Sequence, residues 1–355
     1  MSTATDSRPE IGTARRWSML GASTLAQASA AVMVHGPAFL IPALHTRAGL
    51  SLAEAGLVAA APTIGVMVTL VAWGMVSDRR GERFVLLTGL GATTLAGAAS
   101  TLTGSTTLLV VTLFLAGAAA ASTNAASGRV VVGWFPAGRR GLAMGVRQMA
   151  QPTGVGVAAI SIAVLADRHG VRAALWVPTL ACGLAAAVVA LVVLDPPRPD
   201  APAGPAPSPY RRDRYLARIH GVSVLLVVPQ FVVWTFALVW LVQDRGWSPA
   251  AAGALVAAAA IGSPVAVALM VTATVLTVAD NGLAFTAVAE RAGPFWSGRA
   301  LGIQNTAQFL AASAVPPLAG LAITHLGYAA AFALAALFPV LAAPLVPVGA
   351  ERSLS

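Results

Sequence analysis

Charged residues are scarce in this chain of 355 residues, and acids are scarcer than bases. Asp, Glu, Lys and Arg make up 10% of the sequence, with 13 acids against 22 bases, and none of the bases is lysine. A soluble globular domain usually carries about 25% charged residues. The mean hydropathy of +0.79 points the same way. The scarcity of charge therefore excludes an ordinary soluble protein.

Cysteine and the common catalytic motifs are also nearly absent. Cys182 is the single cysteine and lies in an apolar run, so the chain forms no internal disulfide. The sequence contains neither a phosphate-binding P-loop nor His, Cys, Asp and Glu spaced as metal ligands. We therefore expect no cofactor and no metal, and we do not expect an enzyme.

Most of the sequence lies in long runs that contain no Asp, Glu, Lys or Arg. They cover residues 17–46, 84–128, 173–194, 219–243, 246–279 and 300–350. A membrane-spanning helix needs about 20 apolar residues, so each run holds one or two spans. The runs are too long for the roughly 10-residue alternating strands of an outer-membrane barrel. The sequence predicts an all-α polytopic membrane protein.

The spans fall into two groups around a Pro-rich, basic segment. Full spans are predicted at 17–44, 52–76, 84–103, 106–134, 142–166, 173–194, 219–242, 264–288, 300–323 and 328–348, with a half-span at 249–262. The predicted organisation is a tail (1–16), a six-helix bundle (17–194), a linker (195–218), a shortened C-terminal bundle (219–348) and a second tail (349–355). Proline favours an extended linker.

The arginines indicate the orientation of the spans. If residues 1–16 are cytoplasmic and the spans alternate, 16 of the 22 bases lie on the cytoplasmic side and four on the other. This is the positive-inside bias of membrane proteins. The net charge of +9 therefore predicts topology, with both termini cytoplasmic and the lipid bilayer as partner, and we expect no nucleic-acid partner.

The two groups of spans are copies of each other, and the second copy is shorter. Residues 50–65 resemble 247–262 at an offset of 197, whereas 140–151 resemble 297–308 at an offset of 157. The offset falls by 40 residues, which predicts a deletion of that size from the second copy. Parallel repeats of this kind are typical of transporter folds. We expect ten full spans and one half-span, reduced from twelve.

A charged stretch between the second and third spans carries a family resemblance. Residues 74–87 read GMVSDRRGERFVLL, and the major facilitator superfamily has G-x-x-x-D-R-x-G-R-R at this place. The matching residues are Gly74, Asp78, Arg79, Gly81 and Arg83. Glu82 departs from the pattern, because the family usually has a basic residue there. The chain resembles this superfamily over nearly its whole length.

The resemblance implies a two-bundle fold, alternating access and a cytoplasmic gate formed by the five matching residues. It implies that Asp78 holds the two halves together at that gate. A carboxylate at Asp78 can face the partial positive charge at the start of the span near Gly298. The alternative is a solvated loop that serves only topology.

In this family, spans one, four, seven and ten line the central cavity. The resemblance therefore implies substrate-binding roles for His35, Asn124, Arg129, Gln230, Trp234, Asp280 and Asn281. Asp280 and His35 are ionisable inside spans and are candidates for proton coupling. Structural, hydrogen-bonded roles for both residues stay open.

A second polar set lies in spans five and eleven. We expect Arg147, Gln148, Gln151, Gln304, Asn305 and Gln308 to form hydrogen bonds between the bundles. Arg129 and Arg147 are also candidates for an anion site or a charge relay. The alternatives are that these arginines extend to the lipid headgroups or pair with Asp78.

The resulting hypothesis is a monomeric secondary transporter of a small solute. The two intramembrane arginines favour an organic or inorganic anion as that solute. Coupling to protons is left open. One alternative is a drug:proton antiporter, whose Gly-Pro motif residues 148–156 loosely resemble. Another is a truncated remnant or a membrane interaction protein that does not transport.

Overall fold

A computed structural model describes residues 11–197, 206–243 and 282–347, and over these ranges the regular elements are all helices. Eight of the described helices are long and apolar enough to cross a membrane. The prediction of an all-α polytopic membrane protein is therefore confirmed. The predicted half-span 249–262 and most of the predicted span 264–288 lie outside the described residues.

The helices follow the chain in this order: α1 Thr13–His35, α2 Ile41–Thr46, α3 Leu52–Arg80, α4 Glu82–Leu102, α5 Thr106–Trp134, α6 Ala137–Gln148, α7 Ala150–His169, α8 Val171–Val192, α9 Tyr215–Gln243, α10 (described over 282–292) and α11 Ser297–Ala342. A 3₁₀ turn, Gly36–Leu40, joins α1 to α2. Together α1 and α2 form one long crossing, and so do α6 and α7.

The local sequence fixes both ends of α3. At its start the Ser51 hydroxyl accepts a hydrogen bond from the Glu54 backbone N–H (3.2 Å), and the Glu54 carboxylate accepts one from the Ser51 N–H (2.9 Å). This reciprocal capping box satisfies two backbone donors that the first turn leaves open. At its end Gly81 adopts a positive φ of 96°, a conformation that favours glycine.

Breaks in helical geometry interrupt two of the long helical segments, and only the first differs from the sequence prediction. The sequence predicted one helix over 142–166, whereas α6 and α7 meet at Met149. Pro152 explains the break, because it lacks the N–H that would bond to the carbonyl four residues earlier. In α11 the backbone leaves helical geometry at Gly327 (φ 81°), between the predicted spans 300–323 and 328–348.

Glycines bring α3 and α5 into close contact. A Cβ atom added to Gly65 would lie 2.1 Å from the Phe114 carbonyl oxygen, and one added to Gly117 would lie 2.0 Å from the Pro62 carbonyl oxygen. Small residues at such crossings let helix backbones approach, which is how membrane helices gain packing contacts. The contact fixes the position of α5, which carries Asn124, Ser127 and Arg129.

The chain divides into two compact units. The first contains residues Met1–Pro207 and Val288–Asn305, and the second contains Ser208–Ala287 and Thr306–Ser355. In the second unit, buried residues of α9 and α11 form a hydrophobic core that includes Val232, Val315, Ala319 and Ala335. The domain boundaries expected from the sequence stay a prediction.

Candidate functional site

Asp78, near the end of α3, caps the start of α11 within the first unit. Its Oδ1 atom accepts a hydrogen bond from the backbone N–H of Gly298 (2.8 Å). Its Oδ2 atom accepts from the backbone N–H of Arg299 (3.1 Å) and from the Arg299 Nε–H (2.8 Å). The first turn of a helix offers unpaired N–H groups and partial positive charge, which a carboxylate satisfies. This is the contact that the sequence predicted for Asp78.

Glycines make this contact possible. A Cβ atom on Gly74 would lie 2.3 Å from the Gly298 carbonyl oxygen, and one on Gly298 would lie 2.4 Å from the Gly74 carbonyl oxygen. Gly74 lies four residues before Asp78, so both residues are on one face of α3. The two helices therefore meet backbone to backbone beside the Asp78 carboxylate.

Glu82 forms a buried ion pair with Arg129. Its Oε1 atom lies 2.8 Å from Arg129 Nε, and the side chains are 0% and 6% exposed. Arg129 Nη1 also donates to the Ser297 hydroxyl (3.0 Å) and to the Pro294 carbonyl. The residue that departs from the family pattern thus supplies the counter-charge of Arg129. The sequence offers Asp78 as a partner of Arg129, and the structure has Glu82 in that place.

Arg83 and Gly81, two further residues of the matched motif, contact the end of α8 and Asp195 beyond it. The Arg83 backbone N–H donates to Asp195 Oδ1 (2.8 Å), and its guanidinium donates to the Ala190 carbonyl (2.6 Å). A Cβ atom on Gly81 would lie 2.8 Å from the Asp195 carboxylate. Arg79 is exposed. We call the group Asp78, Glu82, Arg129, Ser297, Gly298 and Arg299 the loop-81 cluster.

A further salt bridge lies at the same end of the unit. Arg140 Nη1 is 2.6 Å from Glu290 Oε1, and Arg140 Nε donates to the Phe135 carbonyl (2.9 Å). Both partners are about one quarter exposed. This pair joins α6 to α10. The sequence predicts no site role for Arg140 or Glu290, which are 150 positions apart.

A second group of polar side chains lies deeper between α1, α5 and α6. We call it the Arg147 cluster, and its members are Gln27, Asn124, Ser127, Arg147 and Gln148. Arg147 Nη1 donates to Gln27 Oε1 (2.6 Å) and to the Ser127 hydroxyl (3.0 Å). Ser127 donates to Gln27 Oε1 (3.0 Å), and Gln27 Nε2 donates to Asn124 Oδ1 (3.2 Å). The cluster is thus a connected network from three helices.

The rest of the Arg147 guanidinium contacts its own helix. Nε donates to the sulfur of Met144 (3.0 Å), and Nη2 donates to Gln148 Oε1. Arg147 is 1% exposed, whereas Asn124 and Gln148 are partly exposed. Arg147 is ten residues from the start of α6, about 15 Å along a helix. The guanidinium is therefore buried between helices, well along the crossing that α6 and α7 form.

The other predicted site residues are spread over the chain. His35 is partly buried, and its Nε2 atom lies 3.5 Å from Gln151 Nε2. Gln230 and Gln304 are buried, and the Asn305 amide donates to the Leu301 carbonyl of its own helix (2.8 Å).

Three predicted positions cannot be compared with the fold, and two of the described ones lie in the second unit. The Trp234 side chain, Asp280 and Asn281 lie outside the described residues, while Gln230 and Gln308 belong to the second unit. In the ranges described, no three His, Cys, Asp or Glu side chains are grouped as a metal site.

The helices and their buried charges define a multi-pass membrane protein of the transporter type. The sequence model described as the Major Facilitator Superfamily matches residues 22–289, about three quarters of the length. The chain belongs to this superfamily.

Two curated relatives cover nearly the whole chain. The uncharacterised MFS-type transporters Rv2994 and MT3072, from two strains of Mycobacterium tuberculosis, are each 43% identical over 388 residues, with 96% of this chain and 87% of the relative aligned. The glycerol-3-phosphate transporter of Bacillus subtilis is 32% identical over 126 residues, which is 34% of this chain and 28% of that protein.

Solved structures have the same fold. The proton:xylose symporter XylE superposes with a TM-score of 0.72 at 15% identity, over 95% of this chain and 97% of that one. The human organic anion transporter MFSD10 superposes with a TM-score of 0.69 at 16% identity, over 93% and 99%. At these identities the likeness establishes the fold alone.

The alignment with the mycobacterial relatives is longer than the part of this chain that it covers. It runs over 388 residues, whereas 96% of 355 residues is about 341, so about 47 alignment positions in total have no counterpart in this chain. The internal repeat predicts about 40 missing residues in the second copy, and the place of that deletion stays a prediction.

Proposed function

We propose that this transporter of the major facilitator superfamily carries a small organic or inorganic anion across the cytoplasmic membrane by alternating access. Membership of the superfamily supports transport, and the preference for an anion is the further step. The termini and the loop-81 cluster are assigned to the cytoplasmic side, as the arginine distribution favours.

Arg147 carries the proposal of an anionic substrate. A charged side chain deep in a membrane is costly and defaults to a functional role. Arg147 donates hydrogen bonds to two amide oxygens, a hydroxyl and a thioether. Arg129, the second buried arginine, lies beside the carboxylate of Glu82. A carboxylate or phosphate is a stronger acceptor for a guanidinium than neutral groups are.

A partial relative supports the same class of substrate. The Bacillus subtilis protein that matches 34% of this chain is named as a transporter of glycerol 3-phosphate, which is an anion. This supports the class of substrate and leaves its identity open.

The loop-81 cluster is assigned the role of the cytoplasmic gate. In the described state it joins α3, α4 and α5 to the start of α11 through Asp78 and Arg129. Opening of this end would break the Asp78 contacts. The attraction between the Asp78 carboxylate and the partial positive charge at the start of α11 favours their re-formation. Transport would then alternate between intact and broken forms of the cluster.

Proton coupling is proposed through His35, with Asp280 as the second candidate. His35 lies at the end of α1, within 3.5 Å of the Gln151 amide. An imidazole can take up and release a proton, and ionisable groups inside a membrane default to functional candidates.

Uptake into proteoliposomes tests the proposed function. Purified protein would be given labelled small anions and, separately, cationic dyes, with and without an inward proton gradient. We expect anion uptake that is lost in Arg129→Ala, because that change opens the gate cluster. Dye flux without anion flux would favour a drug:proton antiporter. Absence of any flux from folded protein would favour a non-transporting remnant, which the total of about 47 unmatched alignment positions makes a real alternative.

A further inference from the structure

A basic segment lies at the start of α9, in the second unit. Residues 210–218 read YRRDRYLAR and contain four arginines and one acid, together with two of the three tyrosines of the chain. The charge-free run 219–243 begins directly after Arg218. Tyrosine and arginine favour the headgroup level at the end of a membrane span. The segment therefore belongs at the boundary between the apolar layer and water.

Local contacts hold this segment against the first turns of α9. Residues Pro209–Arg211 form a 3₁₀ turn, and Asp213 Oδ1 accepts a hydrogen bond from the Tyr215 backbone N–H (2.9 Å). The Tyr210 hydroxyl and His220 Nε2 are hydrogen-bonded at 2.8 Å, and the centroids of the two rings are 5.8 Å apart. A surface that is already ordered loses less entropy when it binds a ligand.

Arg218 has a structural role inside the second unit. Its Nε atom donates to the Leu345 carbonyl (2.9 Å), and its Nη2 atom donates to the carbonyls of Pro344 (3.1 Å) and Val346 (3.2 Å). These carbonyls follow α11, and a cation is favourable at the end of a helix. Arg218 therefore joins the start of α9 to the end of α11.

The other three arginines of the segment, Arg211, Arg212 and Arg214, are exposed. Within the part of the chain that the structure describes, their guanidinium groups show no hydrogen bond or ion pair. By contrast, Arg83 and Arg140, in the turns near residues 81 and 137, donate to protein acceptors. Three guanidinium groups within four residues are thus open to an external anion.

An anionic phospholipid fits this surface in both charge and position. A guanidinium binds a phosphate through two parallel hydrogen bonds. Clusters of arginine directly beside a membrane span attract anionic lipids, and each arginine adds to the attraction. The apolar run that follows Arg218 passes into the layer that holds the acyl chains, so one lipid can meet both parts. A soluble phosphate would use the arginines alone.

We propose that Arg211, Arg212 and Arg214 bind the phosphate headgroup of an anionic phospholipid, and that the contact of Tyr210 with His220 positions them. The bound lipid would fasten the end of the linker and the start of α9 to the membrane surface. This proposal goes beyond the proposed function, because it needs no transported solute.

Native mass spectrometry of the full-length protein, released from a neutral detergent, would count the bound lipids. Phosphatidylglycerol is the anionic probe, phosphatidylcholine of the same chain length is the zwitterionic control, and inorganic phosphate is the soluble competitor. We expect phosphatidylglycerol to bind at least about tenfold more tightly than phosphatidylcholine. Equal binding of the two lipids would overturn the proposal. Displacement by an equal concentration of inorganic phosphate would also overturn it, since the site would then select a free anion.

Two triple variants separate this surface from the net charge of the protein. Replacement of the three proposed arginines by glutamine should weaken the binding of phosphatidylglycerol at least about tenfold. The matched control combines Arg139→Gln, Arg168→Gln and Arg172→Gln, which removes the same charge from exposed positions of the first unit. It should bind phosphatidylglycerol as the unaltered protein does. An equal loss in both variants would contradict the proposal.

Arg214→Gln and Arg218→Gln compare two arginines that are one helical turn apart. Arg214→Gln should weaken the binding of phosphatidylglycerol and keep the melting temperature. Arg218→Gln should lower the melting temperature, because it removes hydrogen bonds to three carbonyls, and should keep the binding. The opposite pattern would contradict the division of roles among the four arginines.

The unaltered protein provides a test that does not depend on how any variant folds. Phosphatidylglycerol with a photoreactive headgroup would be crosslinked to the full-length protein, and mass spectrometry of the peptides would locate the attachment. We expect the crosslink within residues 209–218, and we expect an excess of ordinary phosphatidylglycerol to abolish it. Crosslinks that lie only in other segments would overturn the proposal.

Discussion

At the scale of single residues, Glu82 and Arg129 show how a membrane protein keeps two charges away from water. Both side chains are buried, and each places a charge of opposite sign beside the other. Bringing two charges out of water is costly, and removing one partner strands the other. Substitution of one partner should therefore lower the free energy of unfolding more than the pair itself adds to it.

Glu82→Gln should destabilise the protein. We expect the free energy of unfolding to fall by about 3–5 kcal/mol, because Arg129 would stay buried without its carboxylate. Titration with SDS from mixed micelles, followed by circular dichroism, would measure it. The exchange of both residues, Glu82→Arg with Arg129→Glu, should recover part of the loss.

The exposed pair Arg47 and Asp167 gives the matched control. Its side chains are 51% and 76% exposed, and its atoms are 2.6 Å apart. Arg47→Gln should change the free energy of unfolding by less than about 1 kcal/mol, since solvent screens surface pairs. An equal effect of the two substitutions would contradict the assignment of Glu82 as a buried counter-ion.

The sequence could predict the Asp78 contact but not the Glu82 pair, and the difference has a physical reason. Asp78 belongs to a motif and faces the start of a helix. The start of a helix can be located from the sequence, because an apolar run begins there. Glu82 and Arg129 are 47 positions apart on two helices, and their contact depends on how those helices pack. The Arg147 cluster was missed as a unit for the same reason, since Gln27 lies in an ordinary apolar run.

At the scale of helices, bounds follow from where apolar runs begin and end. The predicted spans 84–103, 106–134 and 173–194 became Glu82–Leu102, Thr106–Trp134 and Val171–Val192, within two residues at each end. A change from apolar to polar sequence marks the membrane boundary directly. The break at Met149 was not predicted, because apolar character continues across it.

Helix contacts at glycines can be tested with a matched pair of substitutions. Gly65→Ala should lower the free energy of unfolding by about 1–3 kcal/mol, because its methyl group would strike the α5 backbone. Gly91→Ala in α4 should be neutral or stabilising, by up to about 1 kcal/mol, since its Cβ atom meets no atom within 4 Å and alanine favours helix. Detergent melting of both variants would compare them. Equal stabilities would show that α3 and α5 can move apart at no cost.

At the scale of the whole molecule, charge is distributed unevenly between the two ends of the first six crossings. The turns near residue 81 and residue 137 contain Arg79, Arg80, Arg83, Arg139 and Arg140. The opposite loops contain Arg47, Arg168 and Arg172, with Asp167 beside them. Positive charge accumulates in cytoplasmic loops. The uneven distribution predicts which end faces the cytoplasm.

Reporter fusions would measure this orientation. Green fluorescent protein attached after residue 355 should be fluorescent, because it folds in the cytoplasm. Alkaline phosphatase inserted in the loop at 103–105 should be active, because that enzyme needs the oxidising side, and an insertion at residue 81 should be inactive. The reverse pattern would place the Asp78 contact at the outer face and reject its role as a cytoplasmic gate.

The single thiol of the chain has a practical consequence for following its motion. Cys182 is buried in α8, where its sulfur donates to the Ser29 carbonyl at 3.4 Å. A buried thiol reacts slowly, because the reactive form is the thiolate and the reagent must be able to reach it. Cys182 should therefore react little with a spin label. Two cysteines introduced at exposed helix ends would then carry nearly all of the label, and their separation could be measured. Distances between such labels, with and without solute, would test whether the ends of these helices move.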